Sequence, residues 1–212
     1  MPDKKRIALI TGASSGLGRE FARLLAREAV DELWLVARRG ERLRELSAEL
    51  DVPCRIFVLD LTQEAALEEL SAEPVVVRYL VNAAGFGRIG MAADIGAATT
   101  GRMIALNCRA AAELTERALP YMEKGSRVLE IASCAAFQPI PYLAAYAATK
   151  AFLLRYSCAL AVEVAERGIT VTAICPYWIR DTEFIHEAKK TDRAGLFRGF
   201  PLATDQKTVA RR

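Results

Sequence analysis

Apolar positions along this chain follow two alternating rhythms. Short, nearly continuous apolar runs occupy residues 7–10, 33–37, 55–59, 75–81, 128–132 and 169–174. The segments between them have helical spacing. Residues 17–28 set Leu17, Phe21, Leu24 and Leu25 among Arg and Glu, residues 41–50 are charged, and Thr62 stands where it can cap a Glu- and Leu-rich helix. Two longer helices are predicted at about 97–122 and 142–167. Strands apolar throughout are buried on both faces, which is the habit of parallel strands joined by right-handed helical crossovers. The pattern therefore predicts one three-layer α/β domain over residues 1–212, without repeats or linkers.

The second long helix departs from an ordinary surface helix. Between Ala151 and Val162 only Arg155 is charged, so the polar face is almost missing. Either the helix is unusually buried, or its outer face packs on another subunit. The second reading is favoured, because a crossover helix has one side toward solvent.

Composition narrows the functional classes. The chain is 52% hydrophobic and 26% charged over 212 residues, which excludes dominant disorder. No uncharged apolar stretch is long enough to span a bilayer. The net charge of +3 is too balanced to argue for nucleic acid or an anionic membrane. Cys54, Cys108, Cys134, Cys158 and Cys175 are odd in number and scattered, so neither a disulfide framework nor a metal site is expected. Reduced thiols point to the cytoplasm. The opening MPDKKRIALITG reads as a first strand, not a signal peptide.

Candidate chemistry gathers where predicted strands end. The first strand runs into Thr11-Gly12-Ala13-Ser14-Ser15-Gly16-Leu17-Gly18 and then a helix. Such a turn lets a ligand approach the backbone, and the helix N-terminus suits a pyrophosphate. After the second strand, Ala37 stands where an acid would grip a ribose hydroxyl, and Arg38 and Arg39 follow. With Arg42 they also fit an ordinary solvated helix start, a reading weakened because cations are unfavourable near a helix N-terminus. NADP is therefore favoured over NAD. Tyr146 and Lys150 lie four residues apart, so one helix face carries a phenol and an ammonium that can lower its pKa. Such a pair also occurs on ordinary exposed helices. Ser133 closes the fifth strand, and Asn107 sits unusually in mid-helix.

The T-G-x-x-x-G-x-G turn, with Asn107, Ser133, Tyr146 and Lys150 in order, resembles the short-chain dehydrogenase/reductase family. The resemblance implies a Rossmann-like doubly wound sheet of order 3-2-1-4-5-6. It assigns Gly12, Ser14, Ser15, Gly16, Leu17, Gly18, Arg38 and Arg39 to NADP. Asp60 and Leu61 would lie beside the adenine, and Asn82-Ala83-Ala84-Gly85 would line the cofactor, with Ala83 departing from the family's second Asn. Tyr146 becomes the proton donor or acceptor and Ser133 the group that polarises the substrate oxygen. Lys150 lowers the Tyr146 pKa and holds the nicotinamide ribose. Asn107 supports a water that relays protons to Lys150. Pro176, Ile179 and Thr182 also belong to the cofactor, although Tyr177 replaces the usual glycine and implies an altered loop.

Residues 177–200, with Phe184, Phe197 and Phe200, correspond to the family's substrate lid. The sole histidine, His186, has no catalytic partner in view. Phe86, Met91, Cys134, Phe137, Tyr142 and Trp178 would make an apolar pocket for a bulky or aliphatic carbonyl or alcohol. Helices 97–122 and 142–167 would form a homodimer or homotetramer. The alternative function is a non-catalytic NADP-binding sensor, but such proteins tend to lose the tyrosine or lysine. A methyltransferase would use another glycine pattern, and sugar epimerases need a larger substrate domain. Family members usually run to roughly 250 residues. A helix is only beginning at residues 204–212, so the expectation is either six strands with an exposed sheet edge, the usual seventh missing, or a chain truncated from a longer protein.

Overall fold

The computed structural model describes residues 4–70, 75–193, 195 and 199–211. Residues 1–3 of the opening, Phe197 of the expected lid and Arg212 lie outside the described residues. In chain order the strands are β1 (Arg6–Thr11), β2 (Glu32–Ala37), β3 (Cys54–Val58), β4 (Val76–Asn82), β5 (Arg127–Ile131) and β6 (Thr170–Ile174). The α-helices are α1 (Gly16–Leu25), α2 (Gly40–Ala48), α3 (Glu64–Glu69), α4 (Ala92–Ile95), α5 (Ala97–Ile104), α6 (Ala111–Ala118), α7 (Ala144–Glu163), α8 (Phe184–Ala188) and α9 (Gln206–Arg211). Among the described residues, all strand pairs are parallel and the sheet order is β3-β2-β1-β4-β5-β6, as expected.

The apolar runs sort residue by residue onto two faces. Ile7 and Leu9 of β1, with Trp34 and Val36 of β2, pack against Leu67, Leu114 and Leu160 of α3, α6 and α7. Ala8 and Ile10, with Leu33 and Leu35, pack against Leu17, Phe21 and Leu43 of α1 and α2. Alternation with period two thus turns one apolar run into two cores. Val209 and Ala210 of α9 join the second core. Asp205 caps α9, accepting from the Thr208 amide and hydroxyl, each at 2.8 Å. The edge strand β3 is marked by Arg55, whose guanidinium lies over the Trp34 and Phe57 rings at 5.2 and 5.0 Å.

Two local expectations are corrected. Thr62 does not cap α3, which starts at Glu64. Its amide and hydroxyl instead turn back onto Asp60 Oδ1, at 3.0 and 2.8 Å, in the local turn that short polar side chains favour. The first long helix is not uniform, because a π-helical turn, Ala105–Ala110, separates α5 from α6. The widened turn carries Asn107 and has no signature in apolar periodicity.

A carboxylate is sealed inside the sheet. Glu130 of β5 has no solvent exposure. Its Oε1 accepts from Asn82 Nδ2 of β4 at 2.7 Å and lies 2.9 Å from Thr115 Oγ1 of α6. Oε2 has no hydrogen-bond partner among the described residues. Burial raises the carboxyl to about 7, against the opposing hydrogen bonds from Asn82 and Thr115 and the Lys150 charge on α7. In the unfolded chain the same group loses its proton near 4.5. Between these values the unfolded state binds fewer protons, so this group erodes stability as pH rises from about 4.5 to 7. Glu130→Gln should therefore stabilise the fold increasingly over that interval, by on the order of 2 kcal/mol at its upper end. Denaturant titrations of parent and variant at several pH values check this. A difference that stays constant with pH would exclude the buried-carboxylate account.

Candidate active site

The glycine turn joins β1 to α1 with no spare room. Gly12 has φ +69°, and a Cβ there would lie 2.9 Å from the Ala83 carbonyl and the Ala84 amide nitrogen. A Cβ on Gly18 would lie 2.5 Å from the Gly12 oxygen. The glycines are thus required by chain-on-chain packing as well as by any ligand. Thr11 Oγ1 stitches the junction, donating to Val81 O at 3.3 Å and accepting from the Ala84 amide at 3.1 Å. Leu17 is largely buried in the core, and Gly16 faces Thr182, whose Cγ2 is 3.6 Å from where a side chain would begin.

Ser15 precedes α1 in extended conformation without capping it. Its hydroxyl instead accepts from Arg39 Nη2 at 2.8 Å, and Ser14 Oγ lies 3.3 Å from the same nitrogen. Arg39 Nη1 and Arg42 Nη1 each reach the Glu183 carboxylate at 2.7 Å. Arg38 is exposed and acts on Asp60. Burial raises the Asp60 carboxyl, but the Thr62 hydrogen bonds and the Arg38 and Arg102 charges together hold it below its usual value. Leu61 packs into the core.

The Asn82 side chain points into the sheet, toward Ala111, Thr115 and Glu130. The backbone of Ala83 and Ala84 meets Gly12, and Gly85 is exposed beside Asn107 and Lys150. Sequence inspection had no way to know which strand face position 82 would take beside a buried acid.

Four side chains meet at the carboxyl ends of β4 and β5. The π turn presents Asn107, fully buried, to the loop after β4. Its Oδ1 accepts from the Phe86 amide at 3.1 Å, and its Nδ2 donates to Phe86 O and Thr149 Oγ1 at 2.9 and 3.0 Å. Asn107 therefore clamps the loop after β4 to α7. Ser133 Oγ accepts from the Ala135 amide at 3.2 Å and lies 3.5 Å from Pro176 O. Burial holds the Tyr146 phenol well above its ordinary value, and the facing Ser133 hydroxyl works against that rise.

Lys150 Nζ donates to Ile131 O at 2.6 Å and lies 5.8 Å from the Tyr146 ring centre. Burial lowers its pKa to about 8, against support from Glu130, Cys108 and Cys175. The Ser133 hydroxyl thus opposes the burial-driven rise of the phenol, while the Lys150 ammonium donates to Ile131 O.

The segment after β6 crosses in front of this cluster. Tyr177 does not adopt positive φ, so the loop accommodates it in place of glycine, with its ring edge-on to Trp178 at 6.5 Å. Pro176 O accepts from the Cys134 amide at 3.0 Å. Ile179 pairs with Thr204, and Thr182 Oγ1 donates to Ile179 O at 3.2 Å. The Phe184 ring lies 5.3 Å from that of Tyr146. Of the expected pocket residues, Phe86 and Trp178 pack in the apolar cluster around Tyr146, while Met91, Phe137 and Tyr142 are exposed. A cleft of about 550 Å³ is lined by Arg180, Thr182, Ile185, His186 and Phe200, with none of those six among its walls. Glu183 and Thr149 escaped sequence inspection. Glu183 lies 144 residues from Arg39, and no local pattern links them.

Comparison with known proteins agrees with this geometry. The family model described as short chain dehydrogenase matches residues 6–193. Sulfoacetaldehyde reductase 2 of Chromohalobacter salexigens is 35% identical over 188 residues, 84% of this chain and 74% of that protein. A short-chain dehydrogenase from Sphingobium yanoikuyae, solved in complex with NADPH, superposes with TM-score 0.83 at 29% identity, covering 98% of this chain and 82% of its own. The bulky-bulky ketone specific alcohol dehydrogenase from Comamonas testosteroni gives TM-score 0.80 at 29% identity, covering 97% and 79%. The chain belongs to the short-chain dehydrogenase/reductase family of oxidoreductases.

Proposed function

We propose that this protein interconverts a carbonyl and a secondary alcohol using NADP(H), with Tyr146, Ser133, Lys150 and Asn107 as its working groups. The observation that carries the reading is the buried Tyr146 phenol facing Ser133, with Lys150 one turn along the same helix, beside the glycine turn. A phosphorylated dinucleotide fits this frame. The α1 N-terminus has no side-chain cap, the turn is closed by glycines, and Arg39 stands over both turn serines. Gly12 to Gly18, Arg38, Arg39, Asp60, Leu61, Ala83, Ala84, Gly85, Pro176, Ile179 and Thr182 would hold the cofactor. When bound, NADPH supplies the hydride.

The protein's own part is placement and proton control. Tyr146 gives its phenolic proton to the carbonyl oxygen, and burial keeps that proton on the phenol until substrate charge develops. Ser133 donates to the same oxygen and holds it at the sheet edge. Lys150 holds the nicotinamide ribose, and Asn107 fixes the loop that walls the site. Ile89, Met103, Leu143, Phe86, Trp178 and Phe184 pack around Tyr146, so the surroundings of the proton donor are apolar, which supports a bulky or aliphatic substrate. Within the 177–200 segment, the described residues 177–193 would form the lid of this single domain.

The outer face of α7 supports self-association. Phe152 and Val162 are 43% and 77% exposed, and Phe152 stacks on Tyr156 at 5.9 Å. With Ile104 of α5, 50% exposed, they support a homodimer or homotetramer through helices 97–122 and 142–167. Free thiols at all five cysteines support a cytoplasmic setting. No helix of the described residues is long and apolar enough to cross a membrane.

An NADPH-oxidation screen over ketones, aldehydes, quinones and acyl thioesters tests the activity. No turnover on any class, with NADP⁺ still bound, would favour the sensor reading. Tyr146→Phe should lower kcat at least about a hundredfold while the NADPH Kd stays within about twofold. Near-parental turnover would remove Tyr146 from the mechanism. Arg39→Ala should weaken NADPH about tenfold or more and leave NADH nearly unchanged, as loss of a charge-assisted phosphate contact requires. Arg38→Ala should have the smaller effect. Titration of cofactor fluorescence measures both variants.

A further inference from the structure

Residues 182–184 touch three stations of the cofactor cleft at once. Thr182 lies over Gly16 of the glycine turn, with Cγ2 3.6 Å from where a side chain there would begin. Glu183 divides its carboxylate between Arg39 and Arg42, at 2.7 Å each. Phe184 packs its ring on Tyr146 at 5.3 Å. A Cβ on Gly87 would lie 2.8 Å from Tyr146 Cδ2 and 2.9 Å from Phe184 Cζ, so the three groups are in close contact.

Resting on the NADP reading above, we infer that Glu183 is a built-in occupant of the 2′-phosphate seat, a specificity residue that the phosphate must displace, releasing Phe184 from Tyr146. Three features support this. Arg39 and Arg42 offer the fork of donors that phosphate and carboxylate recognise alike. A phosphate monoester carries nearly two charges and three acceptor oxygens against one charge and two oxygens on Glu183, so it can outcompete the internal ligand. The ion pairs are exposed, with the Glu183 side chain 48% accessible and those of Arg39 and Arg42 43% and 39%, which keeps their worth small enough to be displaced.

A cofactor without the phosphate gains nothing by displacing Glu183. A cofactor with it takes over both arginines, and α8, which begins at Phe184, is no longer tied at its start. The charge on Glu183 thus lowers affinity for NADP⁺ while leaving NAD⁺ alone, and the same exchange uncovers the proton donor only when the phosphorylated cofactor is seated.

The test is binding, not turnover. By calorimetry, Glu183→Gln should bind NADP⁺ about fivefold more tightly than the parent, the effect of losing an exposed ion pair of ordinary strength, with NAD⁺ within about twofold. Glu183→Ala should behave the same way. Hydrogen exchange with 2′,5′-ADP, which carries the phosphate but not the nicotinamide, should speed amide exchange across residues 184–188 in the parent, whereas 5′-ADP should not. In Glu183→Gln that exchange should be fast without ligand. Unchanged NADP⁺ affinity in both variants, with the parent still preferring NADP⁺, overturns the latch and leaves the cofactor reading standing. A parent with no preference for NADP⁺ over NAD⁺, indifferent to Arg39→Ala, overturns both.

Discussion

The strand β1 has almost no solvent-exposed side, and the rest of the molecule is arranged around that constraint. Ile7, Ala8, Leu9 and Ile10 are each no more than 2% exposed, so helices must cover both faces of the sheet. Parallel neighbours then require crossovers, and crossovers set every strand's carboxyl end on one edge. The glycine turn, the Ala83–Ala84 backbone, Ser133 and the loop after β6 follow strand ends that share this edge for that reason. No local property of these residues would gather them.

At that edge, polar groups that burial would otherwise penalise are held by short contacts from neighbouring elements. Asn107 supplies the Phe86 backbone with both a donor and an acceptor, replacing a strand partner that the loop does not have. Asn82 and Thr115 satisfy one oxygen of Glu130, and the other has no hydrogen-bond partner among the described residues. Lys150 is bonded to a strand carbonyl, and its charge lies in the field of the same acid. Phenol, ammonium and carboxyl are thereby all moved off their ordinary pKa values, two upward and one downward, with burial the largest cause in each case. A site kept this dry strengthens the electrostatic interactions that a reacting oxygen would meet.

The outer rim works on a different energy scale. Contacts between Glu183 and the two arginines are exposed, so solvent weakens them, and they can open without unfolding anything. The core clusters cannot. A rigid interior thus lies beneath a weakly tied segment.

Strand and helix order was legible from residue pattern alone, because burial on two faces writes itself as short apolar runs and one-face burial as helical spacing. Motif spacing identified the glycine turn, Ser133, Tyr146 and Lys150, since each depends on a few neighbouring residues or on one helix turn. Tertiary structure decided the rest. It turned Asn82 inward to a buried acid, widened the helix at Asn107 into a π turn, and chose Arg39 over Arg38 to face the turn serines. It also brought Glu183 to Arg39 across 144 residues. Those outcomes depend on which side chains from distant elements compete for the same space and the same hydrogen-bond partners, and a linear pattern records neither.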